Sequence, residues 1–386
     1  MKIIIDARMY GLEHTGIGRY ILNLIDQIDK INAVEDKFGK KISNQYLILL
    51  RKKYFDTLEF KSKNIRKVLS DIPHYSLGEQ IFLPIQLFKL KPDLVHFPHF
   101  NLPWFYFGKY VVTIHDLIKH QSKGMRTTTR SPLTYWFKQL LYFLTVWIAI
   151  KKAFKIITPS KWWQERLTRS YNLPIGKVLV TYEGVDNRFN LKGNRDVQKI
   201  LKKFKIRKPF VIYTGSLYPH KNVDNLLKAV VLVNKKLKQK MNLVIVCSRN
   251  VFWQRFLMKV KKLKADNFVN LVGFVQDEEL VSLYTQARAF VFPSLLEGFG
   301  LPGLEAMAVG LPVIASDASC LPEIYGQAAL YFEPLDANQI AEKIVKVDQD
   351  DSLRKKLIEA GEQKVRQYSW NKMALKTIDI YNGLNN

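Results

Sequence analysis

Short apolar runs and stretches of helical period alternate along this chain. In "KIIIDAR" three isoleucines run together and close on Asp6, which predicts a buried strand; "RYILNLIDQI" then repeats its apolar positions at helical spacing. "YLILLR", "DLVHFPH", "YVVTIHD" and "FKIITPS" also read as strands, most of them ending in polar residues. "EQIFLPIQLFKL", with Pro84 inside it, and "KWWQERLTRSY" read as helices. The alternation predicts βαβ units on a parallel sheet. A second series follows: "PFVIYTGS", "NLVIVCS", "FVNLVGFV", "RAFVFPS" and "LPVIASD" predict strands, separated by helical stretches such as "NVDNLLKAVVLVNKKLK" and "DEELVSLYTQA". A basic, weakly apolar region from about Asn187 to Pro209 divides the two series. The expected fold class is therefore α/β, with two doubly wound Rossmann-like domains facing a cleft, residues 1–190 and 191–365. A helix in 366–386, with Ser369 as its N-cap, would pack back on the first domain. Ligands of such sheets bind beyond the carboxyl ends of the strands.

One stretch lies in that position. "SLLEGFGLPGLEAMAVGLP", Ser294 to Pro312, follows the apolar run "ARAFVFP". Pro302 suits a first helical turn and Gly310 the residue past a helix end, so a helix is expected over about 302–309. Its N-terminus favours phosphate, and glycines 298, 300 and 303 would let a ligand approach the backbone. Glu305, read as lying in the first turn, can accept hydrogen bonds from a pair of hydroxyls such as those of a ribose. Glu297, in the loop, can hold the hydroxyls of a second sugar. A phosphate between two polyols describes a nucleotide-sugar; a capping glutamate and a tight turn is the plainer alternative.

Composition narrows the class. The 386 residues, 47% hydrophobic, exclude a disordered chain, and the formal net charge of +26 calls for an anionic partner. Cys247 and Cys320, the two cysteines, fit a reducing compartment and exclude a disulfide scaffold. "MKIIIDARMYG" is too short an apolar run for a secretory leader, so a cytoplasmic location is expected. Leu133 to Lys155 is apolar and rich in Tyr, Trp and Lys. It reads as a core helix, as a helix on a membrane surface or, interrupted by Lys138, as a span.

"EGFGLPGLEAMAVGLPVIAS" resembles the Glu-x7-Glu signature of the retaining glycosyltransferases of family four, group 1, which have the GT-B fold. "IDARMYGLEHTGIGRYILNL", "SLGEQIFLPIQL", "DLVHFPHFNLP", "VTIHDLI", "TPSKWWQERL", "YEGVD", "YTGSLYPHKNVDNLLKA" and "LPEIYGQAALYFEP" are similar to the same family in the same order, so the resemblance covers nearly the whole chain. It implies that Glu305 holds the donor ribose and that Glu297 contacts the transferred sugar. Amides of Gly298, Phe299, Gly300 and Leu301 would approach the sugar and diphosphate. Lys221 in "HKN" would offset charge on the leaving diphosphate. Gly16 and Gly18 of "HTGIGRY" would leave room for that diphosphate, with a helix running from Arg19. His115 and Asp116 would stand near the reacting sugar and the acceptor. Two arginines common in the family are replaced here by Ser216 and His220, and a protonated His220 is one way to restore a charge.

The reaction so implied is transfer of a hexose with retention, without metal or other cofactor. The donor would be a nucleotide-sugar, GDP-mannose being favoured over a UDP-hexose. The acceptor would be a saccharide or a polyprenyl-linked saccharide in surface polysaccharide (lipopolysaccharide) biosynthesis. The charge and the aromatic first domain fit peripheral contact with an anionic membrane on its cytoplasmic side. His96 and His99 lack a third ligand nearby, and "DQD" at 348–350 reads as the acidic start of a helix. An epimerase or phosphorylase on the same fold, or a basic nucleic-acid-binding protein, is the alternative. The last lacks any recognised nucleic-acid module and spreads its lysines, so no nucleic-acid partner is expected.

Overall fold

A computed structural model of the chain describes residues 1–37, 44–121, 132–186, 189, 197–237 and 239–383. They form two compact units: one from the described residues of 1–120, 132–184 and 370–383, the other from Gln121 and the described residues of 185–369. The domain boundary expected at 190/191 lies outside the described residues. The chain returns to the first unit at 369/370, where a boundary was expected at 365/366.

The first unit holds a seven-stranded parallel sheet of β1 (Lys2–Asp6), β2 (Gln45–Leu50), β3 (Ile65–Leu69), β4 (Leu94–Phe97), β5 (Tyr110–Thr113), β6 (Lys155–Thr158) and β7 (Val178–Val180), in the order β3-β2-β1-β4-β5-β6-β7. Ile3, Ile4 and Ile5 are wholly buried, because helices cover both faces of β1. The second unit holds β8 (Phe210–Thr214), β9 (Asn242–Val246), β10 (Val269–Gly273), β11 (Phe290–Phe292), β12 (Val313–Ser316) and β13 (Ala329–Phe332), in the order β10-β9-β8-β11-β12-β13. In each sheet the strand order reverses beside the first strand, between β1 and β4 and between β8 and β11. Connections leave in opposite directions there and open a crevice at the carboxyl ends. β3, β7 and β13 were not foreseen from the sequence.

The last helix, Trp370–Asn382, packs on the long helix Thr15–Lys37 of the first unit. Tyr381 OH lies 2.5 Å from His96 Nδ1, and His96 Nε2 lies 2.8 Å from Thr113 Oγ1, so both ring nitrogens serve the core. Burial, with the nearby charge of His115, lowers the His96 pKa to about 3.

Arg8 is 1% exposed, directly after β1. Its Nε and Nη2 grip Asp6 at 2.8 and 2.7 Å, and Nη2 also reaches Glu79 Oε1 at 2.8 Å. Glu79, wholly buried in the first turn of helix Leu77–Leu90, accepts further bonds from Asn101 Nδ2 and from the backbone N–H of Tyr75. Burial alone would raise both carboxyl pKa values. The charge and bonds of Arg8 outweigh it at Asp6; at Glu79, His74, Arg8 and Asn101 together do so, and both carboxyls lie below their ordinary values.

The helix Pro132–Lys152 is neither fully buried nor long and apolar enough to cross a membrane. Val146, Ala149 and Ile150 face the core, while Trp136, Leu140, Leu144 and Trp147, at spacings of four, four and three, form an exposed stripe. Helix Leu77–Leu90 shows the same spacing: Leu77, Ile81, Ile85 and Phe88 are exposed. Trp104 joins the two helices. Its backbone N–H donates to Gln80 Oε1 at 2.8 Å and its indole N–H to Thr145 Oγ1 at 3.0 Å, and Phe105 and Phe107 beside it are exposed. Lys152 stands over the Phe107 ring and Lys109 over Phe154.

Candidate functional site

The crevice of the second unit is built by two loops. After β8 the chain turns at Gly215, whose φ of 144° favours glycine, and passes Ser216 to the short turn Pro219–Lys221. After β11 it runs through Ser294 and Glu297 to Gly300, which at φ 98° caps the helix Leu301–Ala308. Asn222 ties the loops: its Nδ2 donates to Pro293 O at 3.0 Å and to Pro334 O at 2.6 Å. The Leu295 N–H donates to His220 O at 2.8 Å. These bonds bring Lys221 against Glu297, with Nζ 2.7 Å from Oε1 and 2.9 Å from Oε2. The side chains are 18% and 9% exposed, so the pair is largely out of water. Of the three N–H donors of an ammonium, these two contacts use two. Glu297 is fixed from behind: its N–H donates to Ser319 Oγ at 3.1 Å, and its carbonyl accepts from Cys320 Sγ at 3.4 Å.

Four expectations change. Glu305 is buried, but it is the fifth residue of its helix, beyond the first turn. The helix begins one residue earlier than expected because Gly300, not Leu301, makes the cap. The space left by the missing Cβ atoms of glycines 300 and 303 is not open to a ligand. A Cβ at Gly303 would stand 2.3 Å from Tyr325 OH and one at Gly300 2.6 Å, because the Tyr325 hydroxyl donates to Gly300 O at 2.6 Å and its ring fills both positions. Phe299 likewise turns inward, edge-on to Tyr368. His220 supplies no charge near neutral pH. Burial, then the neighbouring Lys221, lower its pKa to about 4 against the opposing pull of Glu297. Its ring stacks on Tyr218, and Nδ1 is buried without a partner.

In the first unit, His115 follows β5. Its Nδ1 lies 3.1 Å from Glu183 Oε1 and its Nε2 3.1 Å from Pro98 O. Both partners are acceptors, so both bonds are complete only in the protonated ring. Tyr20 closes on it edge-on at 4.6 Å. Asp116 Oδ1 accepts from the Ile118 N–H and caps the short helix Ile118–Gln121. The helix expected from Arg19 starts at Thr15, which puts Gly16 and Gly18 in its first turn. Gly18 is needed for packing, since a Cβ there would fall 1.8 Å from Gly11 O; Gly16 faces open space.

Glu183, Asn222 and Tyr325 escaped the reading of single residues, although "YEGVD", "HKN" and "LPEIYG" each held one of them. Among the described residues no group of three or more His, Cys, Asp or Glu is placed to hold a metal. His99 Nδ1 takes the Asn101 N–H at 3.2 Å, and Asp350 caps the helix Asp351–Val365.

Two family models match the chain in tandem: "Glycosyltransferase Family 4" over residues 59–189 and "Glycosyl transferases group 1" over 196–364. The chain is 28% identical over 406 residues to O-antigen chain mannosyltransferase B of Escherichia coli, covering 99% of each. It is 25% identical over 367 residues to O-antigen chain mannosyltransferase RfbU of Salmonella typhimurium, covering 90% of this chain and 91% of that one. Among solved structures, Anabaena HepE in complex with UDP and glucose superposes with a TM-score of 0.69 at 16% identity, over 99% of this chain and 100% of that one.

Proposed function

The chain belongs to the group 1 glycosyltransferases of family four, with the GT-B fold, and from that premise we propose that it moves mannose from GDP-mannose to a saccharide or polyprenyl-linked saccharide of a surface polysaccharide, with retention and without metal. The observation that carries the reading is the Lys221–Glu297 pair at the carboxyl ends of β8 and β11. Lys221 is a fixed positive charge, largely removed from water, where negative charge develops on the leaving diphosphate. Glu297 accepts hydroxyls of the sugar and Glu305 those of the ribose. The C1–O bond to the diphosphate breaks as the acceptor oxygen bonds C1 on the same face, and the acceptor proton passes to the leaving phosphate oxygen. Mannose is favoured by the activity of the O-antigen relatives.

The chain is incubated with GDP-mannose, UDP-glucose or UDP-galactose, each with methyl α-mannoside as acceptor. Thermal shift is then read for the wild type and Glu305→Ala, and the anomeric configuration of the product by NMR. GDP-mannose should raise the melting temperature of the wild type only, and the product should be an α-mannoside. An equal shift in the variant removes the ribose assignment, and a β-linked product removes retention.

The exposed stripes at 77–88 and 136–147 and the excess of lysine support a peripheral lodging on an anionic bilayer, with aromatic rings at headgroup depth and cations facing phosphates. The chain should co-sediment with phosphatidylglycerol vesicles, and Trp136→Glu with Leu140→Glu should lower the bound fraction about tenfold. Undiminished sedimentation of that variant would remove the helix from the contact.

A further inference from the structure

We infer that Tyr75 is a stacking platform for a pyranose ring of the acceptor, held in place by the buried Asp6–Arg8–Glu79 network. The inference rests on the transferase reading and assigns the acceptor side of it. Tyr75 has a φ of 56°, a left-handed backbone rarely adopted by so bulky a residue, and its side chain is 62% exposed. Burial around its hydroxyl end pushes the phenol pKa up to about 12, so the residue stands in a recess with much of its surface still open to solvent. What holds it is specific: the Tyr75 N–H donates to Glu79 Oε2 at 2.8 Å, and Glu79 is fixed by Arg8 and by both Asn101 contacts. Strain kept by buried polar groups is found where geometry serves a function.

The position is that of a ligand. Arg8 follows β1, and His99 and Asn101 follow β4, so the network sits at the reversal of strand order in the first sheet. The Tyr75 ring stands edge-to-face with His99 at 6.3 Å, and His74, whose Nε2 is buried without a partner, precedes it in the chain. A flat exposed ring beside polar groups suits a hydroxylated ring, whose C–H edges meet the negative aromatic face. The polar neighbours favour a sugar here over the lipid proposed for the adjoining stripe.

The test uses the full chain with methyl α-mannoside, methyl α-galactoside and methyl N-acetyl-α-glucosaminide, read by saturation-transfer NMR. The variants are Tyr75→Ala, Tyr75→Phe and Tyr75→Gly. At least one glycoside should engage the wild type and Tyr75→Phe, and bind Tyr75→Ala and Tyr75→Gly about tenfold more weakly. The Tyr75→Gly melting temperature should be unchanged or higher, since glycine relieves the left-handed strain. The inference falls if no glycoside engages the wild type, or if Tyr75→Ala binds as well as it. It also falls if Tyr75→Ala loses phosphatidylglycerol vesicles while its glycoside binding is intact. The GDP-mannose thermal shift should be equal in all variants. If that shift is missing throughout while Tyr75-dependent glycoside binding persists, the donor reading fails and this one stands.

Discussion

On the proposed reading, Lys221→Met should lower the turnover of GDP-mannose into product by about 10²–10³-fold, the loss found when one fixed donor to a developing oxyanion is removed. The donor KM should rise much less if, as proposed, the lysine acts most where the diphosphate gains charge on leaving, since interactions stronger in the transition state act on kcat. The same substitution also strips a carboxylate, 9% exposed, of its cation. Breaking one side of a largely buried pair destabilises the fold, whereas replacing both partners is nearly neutral. Lys221→Met with Glu297→Gln therefore restores the melting temperature lost in Lys221→Met, but not the turnover. Lys221→Arg keeps the charge but changes a point cation into a planar fork, and recovers only part of the rate. Steady-state rates with melting curves of the four proteins decide it. If the double variant regains activity along with stability, Lys221 is structural; if Lys221→Met turns over within threefold of the wild type, the clamp lies elsewhere.

The parts of the fold readable in the sequence were those buried on both faces. β1, β4, β5, β8, β9 and β11 carry continuous apolar runs because helices cover them on either side. β3 ("IRKVL"), β7 ("VLV") and β13 ("ALYF") escaped because each is a short or mixed strand at the end of its sheet, whereas β10, also at an end, showed in the longer apolar run "FVNLVGFV". An edge strand needs only one neighbour and leaves part of its side chains in water, so its pattern is short and mixed. The two loops of the site were legible as loops from their glycines and their place after strands. Their contact was not, since Lys221 and Glu297 lie 76 residues apart and meet through Asn222 and a backbone bond to His220. The roles of glycines 300 and 303 were misread for a related reason: what fills the space of their missing Cβ atoms is Tyr325, more than twenty residues on. The failure of His220 as a spare cation is a matter of burial, which a sequence leaves open.

Arg8→Met should be the most damaging single change to the fold of the first unit, costing about 3–5 kcal/mol, because it takes the guanidinium from two buried carboxylates and leaves only His74 and Asn101 beside them. Its pH dependence separates this cause from simple loss of packing. In the wild type the Asp6 and Glu79 pKa values are depressed. Their stabilising effect is therefore complete above the unfolded carboxylate values and is lost as pH falls through the lower folded values. Without Arg8, burial is opposed only by His74 and Asn101, and both folded values rise. The variant then loses less stability than the wild type as pH falls, since its native state takes up protons at a higher pH. The difference between wild type and variant should thus be largest near pH 7.5 and shrink by pH 5. Urea titrations followed by tryptophan fluorescence report this directly, since six of the seven tryptophans belong to the first unit. A difference that is the same at both pH values would mean that Arg8 acts through its bulk. A narrowing one identifies it as the counter-charge that lets Glu79 remain ionised in the core and hold the N–H of Tyr75.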